Sequence, residues 1–247
     1  MIISHKLKTI FIKTKKVAGT SFEIALSKYC GDQDIITPIS PDDEQIRKDR
    51  GYICAQNYKK LHQPHNEVKF SNLFTNDIKE ETFYNHMDAL SIKNLIPSDI
   101  WDNYLKVSIV RDPCEVVLSR YFYDHAYNKD LLQQLPQSNM DIGAGQPISL
   151  PKGVLSFKDY VYGCSDTILS ENNNITHING INVIDYIIKY ENLQQDISLL
   201  EKKINTPGLY QTFTRMNAKG NVRPQQATVN TMFTEELKAY VQKKARL

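Results

Sequence analysis

One pattern occurs twice in this chain: a short apolar run, a turn with basic and hydroxyl residues, and then an amphipathic stretch. In its first occurrence, the apolar run Leu7–Ile12 predicts a buried strand, because three apolar residues stand together at 10–12. The turn Lys16-Val-Ala-Gly-Thr-Ser21 follows this run. In the stretch 20–29, apolar residues at 22, 25, 26 and 29 share one face of a predicted helix, and Gly31 is a suitable stop.

The second occurrence begins with an apolar run whose last five residues, 106–110, are predicted to form a strand. Arg111 stands at the end of that strand. The next residue, Asp112, can cap a helix, and Pro113 suits the first helical position. The predicted helix continues as far as position 123 and carries Ser119 about two turns from its start.

Both turns predict a site for phosphate or sulfate, because the N–H groups and the dipole at a helix N-terminus favour an anion. At the first turn, the small residues Ala18 and Gly19 let the backbone approach the anion, and Thr20 and Ser21 add hydroxyl donors. Lys16 adds a mobile positive charge. The lysine precedes the glycine, so the turn is neither a Walker A loop nor a dinucleotide-binding glycine pattern.

At the second turn, the Arg111 guanidinium can hold a phosphate bidentately, at the edge where open α/β sheets bind ligands. Two such turns predict a ligand with two separate anionic groups. Spacing alone leaves other interpretations open. The first turn can be an ordinary exposed strand–helix turn, and Arg111 can belong to a structural cap with an arginine salt bridge.

The rest of the chain alternates predicted strands and helices. A third strand is predicted at Val183–Tyr190, a weak strand at 68–74, and helices at 89–95, 157–162, 193–204 and 235–245. This order predicts an α/β fold with a P-loop-like, mostly parallel sheet flanked by helices on both faces. No linker divides the chain, so residues 1–247 are predicted to form one domain, with irregular excursions near 32–85 and 124–180.

Composition limits the classes of function. With 247 residues, 41% of them hydrophobic, the chain can bury a sizeable core. Its formal net charge of +2 gives no overall field that favours nucleic acid or an anionic membrane as a partner. Four cysteines, Cys30, Cys54, Cys114 and Cys164, form no C-x-x-C pair and predict free thiols in a reducing compartment, the cytoplasm. The apolar runs are too short for a signal peptide or a membrane span.

With these motifs the chain resembles the superfamily of sulfotransferases that use 3′-phosphoadenosine 5′-phosphosulfate (PAPS) as donor. The resemblance is to the branch that contains heparan sulfate 2-O-sulfotransferase and many bacterial carbohydrate-type sulfotransferases. The phosphosulfate loop of that branch is similar to Lys16-Val-Ala-Gly-Thr-Ser-Phe22, except that a hydroxyl residue is usual in place of Val17 and proline in place of Lys15. Its 3′-phosphate motif is similar to Val110-Arg-Asp-Pro113 with Ser119-Arg-Tyr121.

Two further elements of that branch have counterparts in this chain. A histidine before the second strand is typical, and His86 occupies that place. A late Tyr-Glu-Asn-Leu element followed by Asp also recurs, and it is similar to Tyr190-Glu-Asn-Leu193 with Asp196. The four matches stand in the expected order and cover most of the chain.

The resemblance implies a PAPS-dependent O-sulfotransferase, which moves a sulfuryl group to an acceptor hydroxyl by in-line displacement and releases 3′,5′-ADP. The implied cofactor-binding residues are Lys16, Val17, Ala18, Gly19, Thr20 and Ser21 for the 5′-phosphosulfate, and Arg111 and Ser119 for the 3′-phosphate. Lys16 and His86 are the implied catalytic residues. Lys16 stabilises charge on the bridging oxygen, and His86 takes the acceptor proton with a pKa near neutrality. His125 is the reserve candidate for the base.

The implied acceptor is a small molecule or carbohydrate with a free hydroxyl, taken up by the two irregular excursions. No metal is implied. His62 and His65 resemble one half of a metal site, and no clustered cysteine or carboxylate supplies the other half. Two alternatives stay open: a small-molecule kinase, which normally needs a Walker lysine and a magnesium carboxylate, and a non-catalytic protein that keeps the nucleotide fold as an interaction scaffold.

Overall fold

The centre of the molecule is a five-stranded sheet. The structure is a computed structural model and describes residues 1–61, 80–127, 156–216 and 222–245. The sheet strands are β1 (Ile2–Ser4), β2 (Thr9–Phe11), β3 (Ile35–Ile36), β6 (Leu105–Val110) and β9 (Tyr186–Lys189), in the order β3-β1-β2-β6-β9. Two small antiparallel pairs lie outside it: β4 (Lys59–Leu61) with β5 (Glu80–Thr82), and β7 (His177–Ile178) with β8 (Ile181–Asn182).

Helices follow or connect these strands. They are α1 (Gly19–Ser27), α2 (Pro41–Asp49), α3 (Ala89–Leu95), α4 (Ser98–Asn103), α5 (Pro113–Tyr127), α6 (Phe157–Thr176), α7 (Leu193–Ile204), α8 (Leu209–Thr214), α9 (Val229–Met232) and α10 (Glu235–Lys244), with a 3₁₀ turn at Tyr190–Asn192. Within the described residues, no helix is both long enough and apolar enough to cross a membrane.

The sheet is mixed, so the expectation of a mostly parallel sheet is wrong in part. Strands β2, β6 and β9 are parallel, whereas β1 is antiparallel to both β2 and β3. The turn of the β1–β2 hairpin contains no glycine or asparagine. Lys8 takes a left-handed φ of 49°, and the Asp34 carboxylate accepts hydrogen bonds from the hydroxyl of Ser4 and the N–H groups of His5 and Lys6. Because Asp34 lies far along the chain, no local signal reveals this hairpin.

Side chains alternate across the sheet and build a core on each face, as expected for a sheet covered by helices on both sides. In β1 and β2, Ile2 and Phe11 belong to the larger core, which also includes apolar residues of α1, α5, α6 and α7. Their neighbours Ile3 and Ile10 belong to a smaller core, which also includes residues of α3 and α4 such as Trp101.

The predicted elements compare with the observed ones as follows. The helices at 89–95 and 193–204 have the predicted bounds, and those at 20–29, 113–123 and 235–245 are confirmed with small shifts. The third strand is shorter than predicted, and helix α6 is far longer than the predicted 157–162. The weak strand at 68–74 lies outside the described residues, as does the part of the second predicted excursion from 128 to 155.

Candidate anion-binding site

A cavity of about 700 Å³ opens where the parallel strands β2 and β6 end. All nine site residues that the sequence suggested line it: Lys16, Val17, Ala18, Gly19, Thr20, Ser21, His86, Arg111 and Ser119. The two turns meet because neighbouring parallel strands bring their carboxyl ends to one edge. The Thr14 hydroxyl donates a hydrogen bond of 2.6 Å to the carbonyl of Ile109, which ties the first turn to the end of β6.

The first turn, which we call the anion loop (residues 14–21), has an unusual backbone. Lys16 and Ala18 have φ angles of 62° and 60°, the left-handed region that residues with a Cβ rarely occupy. Ala18 is the N-cap of α1, and no side chain of that cap bonds the first N–H groups of the helix. Left-handed residues in such turns help form concave sites for anions from successive backbone N–H groups. The loop therefore offers backbone donors to a phosphate or sulfate.

Two residues of the anion loop, Val17 and Gly19, are constrained by the packing around them. Val17 is 1% exposed and packs in the larger core, although it also borders the cavity. A Cβ on Gly19 would lie 3.0 Å from Cγ of Lys13, which is tighter than nine in ten Cβ contacts in proteins. The Lys13 stem passes beneath the loop because its Nζ pairs with Glu23 at 2.7 Å in a fully buried position. Glycine at position 19 makes room for that stem.

Lys16 is one of two loop lysines that line the cavity, and its Nζ lies 3.8 Å from the ring centroid of Tyr123. A lysine over an aromatic face is held electrostatically yet keeps donors for a ligand. Tyr123 is on α5, so a residue of the second strand–helix unit positions the lysine of the first. Both side chains line the cavity.

Arg111 makes the structural salt bridge that the sequence left open, and it also has one buried donor without a described partner. It forms a salt bridge of 2.6 Å with Glu115, one turn along α5, and it donates to the Lys16 carbonyl at 3.3 Å. Its guanidinium carbon lies 4.0 Å from the ring centroid of Tyr190. Its Nε is buried and has no hydrogen-bond partner among the described residues. A buried donor that still needs an acceptor fits a site that an anion completes.

The helix behind Arg111 is capped as predicted. Asp112 accepts a hydrogen bond of 3.1 Å from the N–H of Glu115, and Pro113 is the first helical residue. Glu191 in turn accepts from the N–H of Asp112 at 2.8 Å. With Tyr190 beneath the guanidinium, the Tyr-Glu element near the end of β9 thus holds the Arg111 turn in place. This role was not assigned from the sequence.

His86 lies beside the anion loop with a φ of 61° and its Nδ1 3.0 Å from the carbonyl of Lys13. A carbonyl oxygen only accepts, so Nδ1 carries the proton and Nε2 keeps its lone pair. Burial, and then the Lys13 cation, lower the pKa of His86 to about 3. The expectation of a pKa near neutrality is therefore wrong for the protein without ligand. His86 is a neutral acceptor across the physiological range.

The reserve base is less suited by position. Nδ1 of His125 lies 2.7 Å from the carbonyl of Tyr121, and its ring packs on the Tyr121 ring with centroids 4.0 Å apart. His125 is not among the residues that line the cavity. His62 and His65 lie outside the described residues, and the described part of the chain holds no group of three or more histidines, cysteines or carboxylates suited to a metal ion.

The electrostatics of the cavity favour a polyanion. None of its described lining residues is an aspartate or glutamate. Six of them are cationic: Lys13, Lys15, Lys16, Arg111, Arg120 and Arg223. The carboxylates stand behind them. Glu115 holds both Arg111 and Arg223, while Asp124 holds Arg120 at 2.9 Å. Such carboxylates fix the direction of the cations without occupying the cavity.

Sequence reasoning missed several lining residues that come from distant parts of the chain. Arg120 and Tyr123 stand on α5, and Arg223 lies between α8 and α9. The adjacency of Arg120 to Ser119 was a usable signal for the first. Nothing local distinguishes Tyr123 or Arg223 from surface residues.

Comparison with known proteins adds one relative. No protein-family model matches the chain, and no solved structure matches it. An uncharacterized protein of the archaeon Archaeoglobus fulgidus is 27% identical over 124 residues, which are 49% of this chain and 84% of that protein. That similarity does not assign a family, so function is argued from the site.

Proposed function

We propose that this protein is a sulfotransferase that moves a sulfuryl group from PAPS to an acceptor hydroxyl and releases 3′,5′-ADP. The observation that carries the proposal is the meeting of two anion sites and a neutral histidine in one cationic cavity. PAPS has anionic groups at both its 5′ and 3′ positions, which matches two turns better than a ligand with one anionic group would. The proposal includes the sulfotransferase variety of the P-loop-like fold.

The donor substrate is held at two ends. The anion loop binds the 5′-phosphosulfate through backbone N–H groups, Lys16 and the hydroxyls of Thr20 and Ser21. Arg111 and Ser119 bind the 3′-phosphate. The buried Nε of Arg111, which has no described partner, supports this assignment, since a phosphate oxygen would satisfy it.

Transfer needs a cation that stabilises the negative charge on the leaving oxygen and a base that takes the acceptor proton. The acceptor oxygen bonds to sulfur as the bond between sulfur and the bridging oxygen of the 5′-phosphate breaks. The electron pair leaves with 3′,5′-ADP, where Lys16 stabilises the charge. The acceptor proton passes to Nε2 of His86, which the hydrogen bond at Nδ1 leaves as the lone-pair nitrogen. Bound anions oppose the cations that depress the pKa of His86, so the donor strengthens its own base.

The cavity also bears on the alternatives. A magnesium-dependent kinase normally uses a carboxylate beside its phosphate loop, and the described lining of this cavity has none. A non-catalytic scaffold would have no need of a left-handed loop and an oriented histidine. Ligand binding and sulfate transfer, measured in the two experiments below, distinguish both alternatives from a sulfotransferase.

The acceptor side of the proposal stays general: a small molecule or carbohydrate with a free hydroxyl. A cytoplasmic location is part of the same proposal. The thiols of Cys30, Cys54 and Cys114, which form no disulfide, support a reducing compartment.

The first experiment is a thermal-shift comparison of three states of the protein: with 3′,5′-ADP, with ATP and magnesium, and without ligand. At 100 times its dissociation constant a ligand adds about 2.7 kcal/mol to the free energy of unfolding, so 3′,5′-ADP alone should raise Tm by several degrees. Stabilisation by ATP with magnesium but not by 3′,5′-ADP would favour the kinase.

The second experiment measures transfer of labelled sulfate from PAPS to a panel of hydroxyl acceptors. Binding of 3′,5′-ADP without transfer to any sugar, phenol or alcohol, in a panel that other sulfotransferases accept, would favour the scaffold. Transfer that stops in the Lys16→Ala variant would assign the activity to this cavity.

A further inference from the structure

Helix α6 reaches the anion loop through one side-chain amide. Oδ1 of Asn172 accepts a hydrogen bond of 2.7 Å from the N–H of Lys15, and Nδ2 of Asn172 donates at 3.1 Å to the carbonyl of Lys15. The two residues are 157 positions apart. Asn172 satisfies both polar groups of the Lys15 backbone, as a neighbouring strand would.

This contact stands immediately before the strained part of the loop. The N–H of Lys15 belongs to the peptide plane shared with Thr14, and its carbonyl belongs to the plane shared with Lys16. Holding both groups fixes the two planes that flank Lys15. The second plane sets the direction of the Lys16 N–H and the start of the left-handed conformation.

A loop with this backbone needs such support. A residue with a Cβ in the left-handed region costs roughly 1–2 kcal/mol, and the loop contains two, Lys16 and Ala18. Strain of this size persists where the surroundings determine the conformation. The side chain of Asn172 does not line the cavity, so its effect on a ligand must pass through the loop.

The neighbouring ion pair is a weaker second contact. Nζ of Lys15 lies 2.8 Å from Glu171, and both side chains are about one-third exposed. Exposed pairs of this kind contribute little because water screens them. The amide contact, which acts on the backbone, is the one that can set the loop geometry.

We propose that Asn172 is a positioning residue, which holds the anion loop in its ligand-binding conformation by clamping the backbone of Lys15. The proposal assigns Asn172 to the 5′ end of the ligand, and that assignment rests on the function proposed above. Its effect should be largest at that end, since Ser119 stands on α5 and Arg111 directly precedes the Asp112 cap of that helix. Of the bonds described above, the one that joins Arg111 to the loop is its 3.3 Å bond to the Lys16 carbonyl.

The test compares Asn172→Ala with Asn174→Ala, an exposed neighbour on the same helix, by calorimetry with three nucleotides. Asn172→Ala should weaken 5′-AMP and 3′,5′-ADP about tenfold, the equivalent of about 1.4 kcal/mol, and leave 3′-AMP unchanged. Asn172→Asp sets a carboxylate against the Lys15 carbonyl and adds a negative charge beside the loop, so it should weaken the two 5′ ligands at least as much as alanine does. Asn174→Ala should match wild type for all three ligands.

An equal loss for all three nucleotides would show general destabilisation and overturn the proposal, and so would no loss at all. Amide hydrogen exchange without ligand separates this proposal from the proposed function. In Asn172→Ala, exchange should accelerate at Lys15 to Gly19 and stay unchanged from Arg111 to Ser119. If the wild-type protein binds none of the nucleotides, the proposed sulfotransferase function is contradicted. Unchanged hydrogen exchange in the loop of Asn172→Ala would reject the role of Asn172 independently of that result.

Discussion

The two turns that form the cavity are built in opposite ways. The anion loop has two left-handed residues, no side-chain cap, and supports that come from elsewhere in the chain, namely Asn172 and the Lys13 stem. The Arg111 turn has a self-capped helix whose first residues follow the local rules for proline and aspartate. The first turn is shaped by tertiary contacts, whereas the second is capped by its own sequence and then held by Glu191.

The difference suggests a division of labour. A strained loop that offers backbone N–H groups, a lysine and an adjacent histidine suits the reacting end of a ligand, where small displacements change rates. An unstrained helix start that offers one guanidinium suits recognition of a group that does not react. Changes at the first turn should therefore reduce turnover, and changes at the second should reduce ligand selectivity.

The largest expected effect follows from removal of the base beside the first turn. His86→Ala should lower the rate of sulfate transfer by roughly 100- to 10,000-fold, the range for a positioned general base. Binding of 3′,5′-ADP, measured by calorimetry, should change little, since Nε2 serves the acceptor. His125→Ala is the matched control and should cost much less. A His86→Ala protein that keeps most of its rate would return the search to His125 or to a carboxylate in the segment 32–85.

Removal of the loop cation should come next. Lys16→Ala should lower the transfer rate on the order of 100- to 1,000-fold, because it removes a charge donor from the developing oxyanion. Circular dichroism and Tm should stay close to wild type, since Lys16 lies at the cavity and not in the core. Lys15→Ala is the control for a neighbouring charge. Greater damage from Lys15→Ala than from Lys16→Ala would show that the register of the loop is misassigned.

At the second turn, Arg111→Ala should change selectivity more than rate. Wild type should bind 3′,5′-ADP more tightly than 5′-AMP, and the variant should lose most of that preference, by roughly 10- to 100-fold, because a charge-assisted bidentate contact is removed. Calorimetry with both nucleotides measures the ratio, and Ser119→Ala should shift it in the same direction. An unchanged ratio would leave Arg111 with its structural role alone, the salt bridge to Glu115.

The same contrast explains what the sequence could predict. Asp112 and Pro113 act on their own helix, so the second turn was predicted correctly from local rules. Spacing of apolar residues likewise predicted the bounds of α7. Both turns were also identified as candidate anion sites, since their residue types stand next to each other in the sequence.

What escaped prediction depends on residues far apart in the chain. The β1–β2 hairpin relies on Asp34, and the length of α6 relies on packing of its polar C-terminal half, where Asn172 bonds the anion loop. Residues 171–174 of that helix are Glu-Asn-Asn-Asn, which have no strong helical signal. The depressed pKa of His86 was missed because burial and the nearby Lys13 are properties of the fold.

A small effect is expected from the second support of the anion loop. Glu171→Gln removes the charged partner of Lys15 in an ion pair whose side chains are about one-third exposed. It should change 5′-AMP affinity by less than about fivefold, since such pairs contribute about 0–1 kcal/mol. Calorimetry beside Asn172→Ala gives the comparison. A larger loss in Glu171→Gln than in Asn172→Ala would mean that side-chain charge, and not the backbone contact, holds the loop.

The smallest effect concerns pH, where the expected result is an absence of change. Burial and then Lys13 lower the pKa of His86 from its ordinary 6.5 to about 3, so above pH 3 the imidazole is neutral and able to accept a proton. As kcat/KM for PAPS reports groups of the free enzyme, its profile from pH 5.5 to 8 should show no acid limb near 6.5 from this residue. A limb with a midpoint at 6–7 that is present with several acceptors would mean either that His86 is hydrated in solution or that another group supplies the base. A shift of that midpoint in a Lys13→Met variant would identify the limb as that of His86, because loss of the cation raises its pKa.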